Sequence, residues 1–133
     1  MNKSVLDASA FLAYLRDEAG AEIVENALIS GCDISTINWG EVLSKTVDLG
    51  ESPDNIIKEL KDEGLLENSL AIIDFTEEDA ITIAKYRPLT KSAGLSLGDR
   101  ACLALGKRLN LPVLTADKVW STLSLGITIN LIR

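Results

Sequence analysis

LSLGDRACLALGKRLNLPVLTADKVW, residues 95–120, contains a capped helix, a short strand and an aspartate at each turn. Ser96 followed three residues later by Asp99 has capping-box spacing, and Ala101, Leu103, Ala104, Leu105 and Leu109 continue an apolar pattern with helical period. Asn110 and Pro112 stop that helix, residues 113–115 read as a buried strand, and Asp117 falls in the turn beyond it. In a parallel sheet the crossover helices run opposite to the strands. A helix N-terminus and a strand C-terminus therefore share one edge, and Asp99 and Asp117 are expected to meet there.

Working outward, residues 3–6 read as a first strand closed by Asp7, and Ser9 precedes an apolar helical run over 10–15. An aspartate at a strand end commonly serves only as a turn or cap. Residues 21–29 form a second amphipathic pattern, ended by Gly31, and 32–37 alternate as a strand. Asn38 is then expected to cap a helix through Leu49, with Glu41 at its third position, where a glutamate also suits a capping box. Ser52 and Pro53 open a charged helix to about Leu65, and residues 70–75 read as a strand. Thr76 and Asp79 repeat the capping-box spacing before a helix that Pro88 should end. Residues 127–132 read as a final strand. Strands alternate with helices throughout, which predicts a single-domain α/β/α sandwich with a mostly parallel central sheet. Asp7, Glu41, Asp99 and Asp117 then fall on one edge.

At 133 residues, 47% of them hydrophobic, the chain suits one compact domain. No apolar run approaches a membrane span, and residues 1–11 are too short and interrupted for a signal peptide, so a soluble cytoplasmic protein is expected. Cys32 and Cys102 read as reduced, buried small side chains. There is no histidine. That excludes Ser-His-Asp and Cys-His catalysis, histidine-pair RNA cleavage and histidine-containing zinc sites. Hydrolytic chemistry would fall to carboxylates holding a hard cation such as Mg²⁺ or Mn²⁺. The net charge of -7 is unevenly placed: residues 17–79 carry seventeen acids against three lysines, whereas 85–118 carry seven bases against Asp99 and Asp117. A phosphate backbone could be drawn to that basic stretch, although ordinary solvated helix charges read equally well.

VLDASAFLAYL from Val5, NWGEVLSK from Asn38 and GLSLGDRACLALGKRLNLPVLTADKVW from Gly94 together resemble a PIN-domain nuclease, in particular the VapC toxin group. The resemblance covers essentially the whole chain. It implies a four-acid metal site of Asp7, Glu41, Asp99 and Asp117, with Thr115 and Ser9 as supporting hydroxyls, and an RNA substrate. It further implies a homodimer and a small antitoxin partner. Arg100 and Lys118, each next to one of these aspartates, become candidate RNA contacts, though Arg100 could equally pair with an acid. Trp39 and Trp120 could stack on bases or belong to the core.

Elementary electrostatics agrees with the grouping. Each close pair of carboxylates at 4 Å repels by about 4 kcal/mol at an effective dielectric near 20, which divalent cations would relieve. Such cations could activate water on one side of a phosphodiester and stabilise the leaving oxygen on the other, giving 5′-phosphate and 3′-hydroxyl ends. Rival classes fit less well. A phosphoacceptor signalling module wants an acidic pair after its first strand, but Ala8 and Ser9 follow Asp7. Aspartate phosphatases want a second aspartate where Ser9 stands, and neither a dinucleotide fingerprint nor a P-loop is present. A non-catalytic α/β binding module is the remaining alternative.

Overall fold

The computed structural model describes residues 3–133, the Glu67 side chain excepted. Five strands form one sheet in the order β3-β2-β1-β4-β5: β1 (Ser4–Leu6), β2 (Cys32–Ser35), β3 (Leu70–Ile73), β4 (Val113–Thr115) and β5 (Ile129–Leu131). All neighbouring pairs are parallel, with Val5 in register with Asp33 on one side and with Val113 on the other. The chain leaves β1 for β2 in one direction and later returns to build β4 on the opposite side. The C-terminal end of β1 is therefore the point where the winding reverses, and side chains there face the crevice that such a reversal opens.

Alternation along these short strands sends apolar side chains to both faces. Leu6, Ile34, Leu70 and Leu114 pack under α1 (Ala8–Leu15), α2 (Ala21–Ser30), α3 (Thr36–Asp48), α4 (Pro53–Asp62) and α5 (Leu65–Asn68). Val5 and Val113 point the other way, onto α6 (Glu77–Thr90) and α7 (Leu97–Leu109), with Trp120 filling the centre of that layer. The result is an α/β/α sandwich whose two cores are separated by the sheet. Gly106 lets α7 lie close on β4, because a Cβ there would stand 2.6 Å from Val113 Cγ2. No helix among the described residues is long and apolar enough to cross a membrane.

Strands β3 and β5 are shorter than read, the charged helix ends at Asp62 with α5 following, and three helix caps or stops also differ from the sequence reading. Asp7 rather than Ser9 caps α1, accepting the Ala10 N–H. Ser35 rather than Asn38 caps α3, so the strand stops earlier and Glu41 moves from the third helical position to the sixth, beyond reach of a capping box. Pro88 does not end α6, which runs on to Thr90. The Thr90 hydroxyl donates to the Tyr86 carbonyl at 2.7 Å and holds that last turn together. Both predicted capping boxes are present, at Thr76 with Asp79 and at Ser96 with Asp99.

Candidate functional site

Asp7 anchors the site. It follows β1 immediately and is only 4% exposed. The Ala10 N–H and the Ser9 hydroxyl donate to its Oδ1 at 2.8 and 2.7 Å, and the Thr115 hydroxyl donates to its Oδ2 at 2.5 Å. Each hydroxyl in turn accepts a backbone N–H from the loop after β4: Ala116 donates to Ser9 at 3.0 Å and Asp117 to Thr115 at 3.1 Å. With their lone pairs engaged from behind, both hydroxyls keep their protons aimed at Asp7. Ser9 and Thr115, the two hydroxyls named from the sequence, thus both donate to Asp7. Burial nevertheless dominates. It pushes the Asp7 pKa up to about 6 against the lowering effect of these hydrogen bonds, and the nearby Asp99 charge adds to the rise.

Asp99 lies in the first turn of α7. Its Oδ2 accepts the Ser96 N–H at 2.9 Å, while Oδ1 has no hydrogen bond among the described residues. Cap and ligand are compatible roles at Asp99, because the cap occupies one oxygen and leaves the other. Glu41 projects from α3 toward the start of α7. Its Oε1 accepts from Asn38 Nδ2 at 2.8 Å, and that same nitrogen donates to the Gly98 carbonyl at 2.9 Å. Beneath all three lies the fully buried thiol of Cys102, whose pKa is driven well up by burial and further by the charges of Asp7, Asp99 and Glu41. The three carboxylates therefore all lie within electrostatic reach of one buried thiol, on the edge where the sheet's winding reverses.

Asp117 stands on the same edge but faces differently. Its carboxylate accepts the Val119 N–H at 3.1 Å, capping the 3-10 helix Lys118–Thr122, and the side chain is exposed. Among the described residues no three acids stand close enough to share a cation as they are now turned. Three of the four acids accept a backbone N–H: Asp7 from Ala10, Asp99 from Ser96 and Asp117 from Val119. The donor set is nonetheless all hard oxygen, the preference of Mg²⁺ and Mn²⁺. Asp99 keeps an oxygen free, and Glu41 and Asp117 are not locked in by packing. The residues fit such an ion in kind. Among the described residues none of the four acids has a lysine or arginine within ion-pair distance, whereas Asp33 and Asp79 do.

The basic stretch is less available than its sequence suggested. Arg100 is 8% exposed, with Nη1 donating to the Ile83 carbonyl at 2.8 Å, so its guanidinium ties α7 to α6. Arg108 is held by Asp79, and Lys107 sits over the Tyr86 ring at 5.8 Å. Lys118 is exposed beside Asp117. Trp120 is fully buried and Trp39 packs against Phe11 at 6.1 Å, so both are core residues and not exposed stacking surfaces. Asn38 and Gly98 were missed by the sequence reading. The glycine left a signal, an isolated Gly in a helix's first turn, which marks close approach by another group.

Comparison with known proteins places this geometry. A family model described as the PIN domain matches residues 4–124. Curated proteins give no match. Among solved structures, a toxin-antitoxin complex from Klebsiella pneumoniae superposes with a TM-score of 0.74 at 19% identity, covering 98% of each chain. A DNA-bound VapBC from Salmonella typhimurium gives 0.73 at 20% identity over 100% of both chains. VapBC-5 from Mycobacterium tuberculosis gives 0.61 at 21% identity over 100% of this chain and 99% of that one.

Proposed function

The chain belongs to the PIN domain family, and from that premise we propose that it is a Mg²⁺- or Mn²⁺-dependent endoribonuclease acting as the toxin of a toxin–antitoxin pair. The observation that carries this reading is the set of uncompensated acids: Asp7, Glu41 and Asp99 converge around Cys102 with no basic partner among the described residues, and Asp117 flanks them. A protein built only for stability has little reason to hold a carboxylate that is 4% exposed beside a second acid.

A divalent cation held there would supply an acidified water and charge stabilisation for the leaving oxygen. The chain's own residues do the rest. Asp7, fixed by Thr115 and Ser9, is the rigid ligand, and Asp99 offers its free oxygen from a helix whose first turn the Ser96 cap has already ordered. Glu41 and Asp117 close the set from either side. Lys118 is the base placed to meet an RNA phosphate, while Arg100 serves the packing of α7 against α6.

For the antitoxin, support comes from a groove of about 470 Å³ between α1, α2, α3 and α4. Its floor is Leu12, Leu15, Leu49 and Ile56, and its rim carries Asp17, Glu25, Glu51, Glu59 and Glu63 against Arg16 alone. Such a surface complements a basic amphipathic helix. A homodimer completes the proposal, and light scattering of the purified chain at micromolar concentration should report twice the mass of one chain. The activity test is cleavage of RNA by the purified protein with Mg²⁺ or Mn²⁺, its loss on chelation, and mapping of the new ends. Products with 5′-phosphates are expected; cleavage that survives chelation, or 2′,3′-cyclic phosphate ends, would overturn the reading.

A further inference from the structure

We infer that Asn38 is a positioning residue that holds the Glu41 carboxylate in the metal site, an inference that rests on the metal-centre reading above. Glu41 is exposed, and its carboxylate lies against Gly98 at the start of α7. Left to itself, a flexible acid beside like charges turns toward water. Asn38 opposes that. It lies one turn earlier on the same face of α3, is 1% exposed, and divides the two hydrogens of its Nδ2 between Glu41 Oε1 and the Gly98 carbonyl. Gly98 directly precedes Asp99, so a single carboxamide sets the relation between the two acids.

Two further observations agree. A Cβ on residue 98 would stand 2.5 Å from Glu41 Oε2 and 2.6 Å from its Cδ, so only glycine leaves the carboxylate its seat. The Asn38 amide also has one permissible orientation. Both groups in front of it are acceptors, so the nitrogen must face them, and Oδ1 is left buried with no hydrogen-bond partner. A side chain serving only to pack α3 would avoid an orphaned acceptor. The cost is explained by the load the nitrogen carries, since an outer-shell group that orients a ligand commonly changes metal affinity 10–100-fold.

The test is a pair of double-mutant cycles read by calorimetric Mn²⁺ binding, without RNA. Asn38→Ala and Gly98→Ala are each expected to weaken Mn²⁺ binding by roughly tenfold or more, one by releasing the carboxylate and the other by displacing it. In a Glu41→Ala background neither should weaken it further, because both act through that one group. Asn38→Ala with wild-type affinity, or losses that multiply in the Glu41→Ala background, would overturn the inference while leaving the metal site standing. If Asn38→Ala fails to fold, Asn38→Leu, which keeps the volume and removes the donor, is read on the same criteria. Wild-type protein that binds no Mn²⁺ would remove the metal-centre reading and this inference together.

Discussion

Two helices on the same face of the sheet begin with the same device and use it for opposite ends. At α6, Thr76 and Asp79 exchange bonds at 3.1 Å each; at α7, Ser96 and Asp99 do so at 3.1 and 2.9 Å. The spacing, the chemistry and the cap geometry match. The surroundings do not. Asp79 is 2% exposed and both its oxygens meet the Arg108 guanidinium, at 2.9 and 3.1 Å. Asp99 meets no base among the described residues, and its charge instead raises the pKa of Asp7 and of the buried Cys102 thiol. A capping box thus tells where a helix starts, and the charges around its acid tell whether that acid has anything left to give.

The largest effect should come from exchanging each aspartate for asparagine. Asp99→Asn is expected to lower metal-dependent RNA cleavage by about 100-fold or more, as is Asp7→Asn, while Asp79→Asn leaves the metal requirement unchanged. Assays at saturating Mn²⁺ on folded variants would decide it. Equal losses at Asp79 and Asp99 would erase the distinction between the two boxes.

Stability should show the reverse order. Asp79→Ala leaves Arg108 without its partner and removes half of a cap, at a cost of about 3 kcal/mol in urea unfolding. A loss under about 1 kcal/mol would mean that the Arg108 pair contributes little.

Between these lies Asp7, the acid that α7 faces. Its folded-state pKa of about 6 exceeds the ordinary 3.8, so the folded protein holds the extra proton. Metal-free stability should therefore fall as pH rises from about 4 to 6, then level off, with a total of order 3 kcal/mol. Asp7→Asn should flatten that fall, since the amide can accept from Ala10 and donate to Thr115. Melting curves from pH 4 to 7 with chelator present would show it; an unchanged pH profile in the variant would place the dependence elsewhere. In the same pH window, the wild type should lose metal affinity as Asp7 becomes protonated.

The smallest effect is expected from Asp99→Ala in metal-free protein. The lost bond to the Ser96 N–H costs about 0.5–1 kcal/mol, and relief of repulsion from Asp7 and Glu41 offsets it. Added Mn²⁺ should raise the wild-type melting temperature and leave that of the variant in place. A variant that loses as much stability as Asp79→Ala, with or without metal, would make Asp99 a structural cap only.

Period and punctuation made the alternating elements legible because they are local properties. Ser96, Asp99, Asn110 and Asp117 each announce an element end within a few residues. The run from Ser35 to Asn38 was ambiguous for the same reason: Ser35, Thr36 and Asn38 can each cap, and only the path of the backbone selects Ser35. That choice freed Glu41 from a capping role and turned Asn38 into its neighbour on one helix face. The Asn38–Gly98 bond spans 60 residues and the Arg100–Ile83 bond joins two helices, so neither leaves a periodic trace. Charge along the chain misled in one respect. Arg100, Lys107 and Arg108 cluster in sequence with Asp99, yet each is engaged by a partner within the fold.

The hydroxyl of Thr115 reaches Asp7 across 108 residues of chain, and β4 is one of the two strands that flank β1. During synthesis Asp7, Glu41 and Asp99 all join the chain before Val113–Thr115 does. Until then β1 lacks its second neighbour, Asp7 lacks one of its three donors, and Asp117 does not yet exist. Translation order therefore sets the order in which the site is assembled. The four acids can gather only after the segment through residue 117 has been made and β4 has docked beside β1.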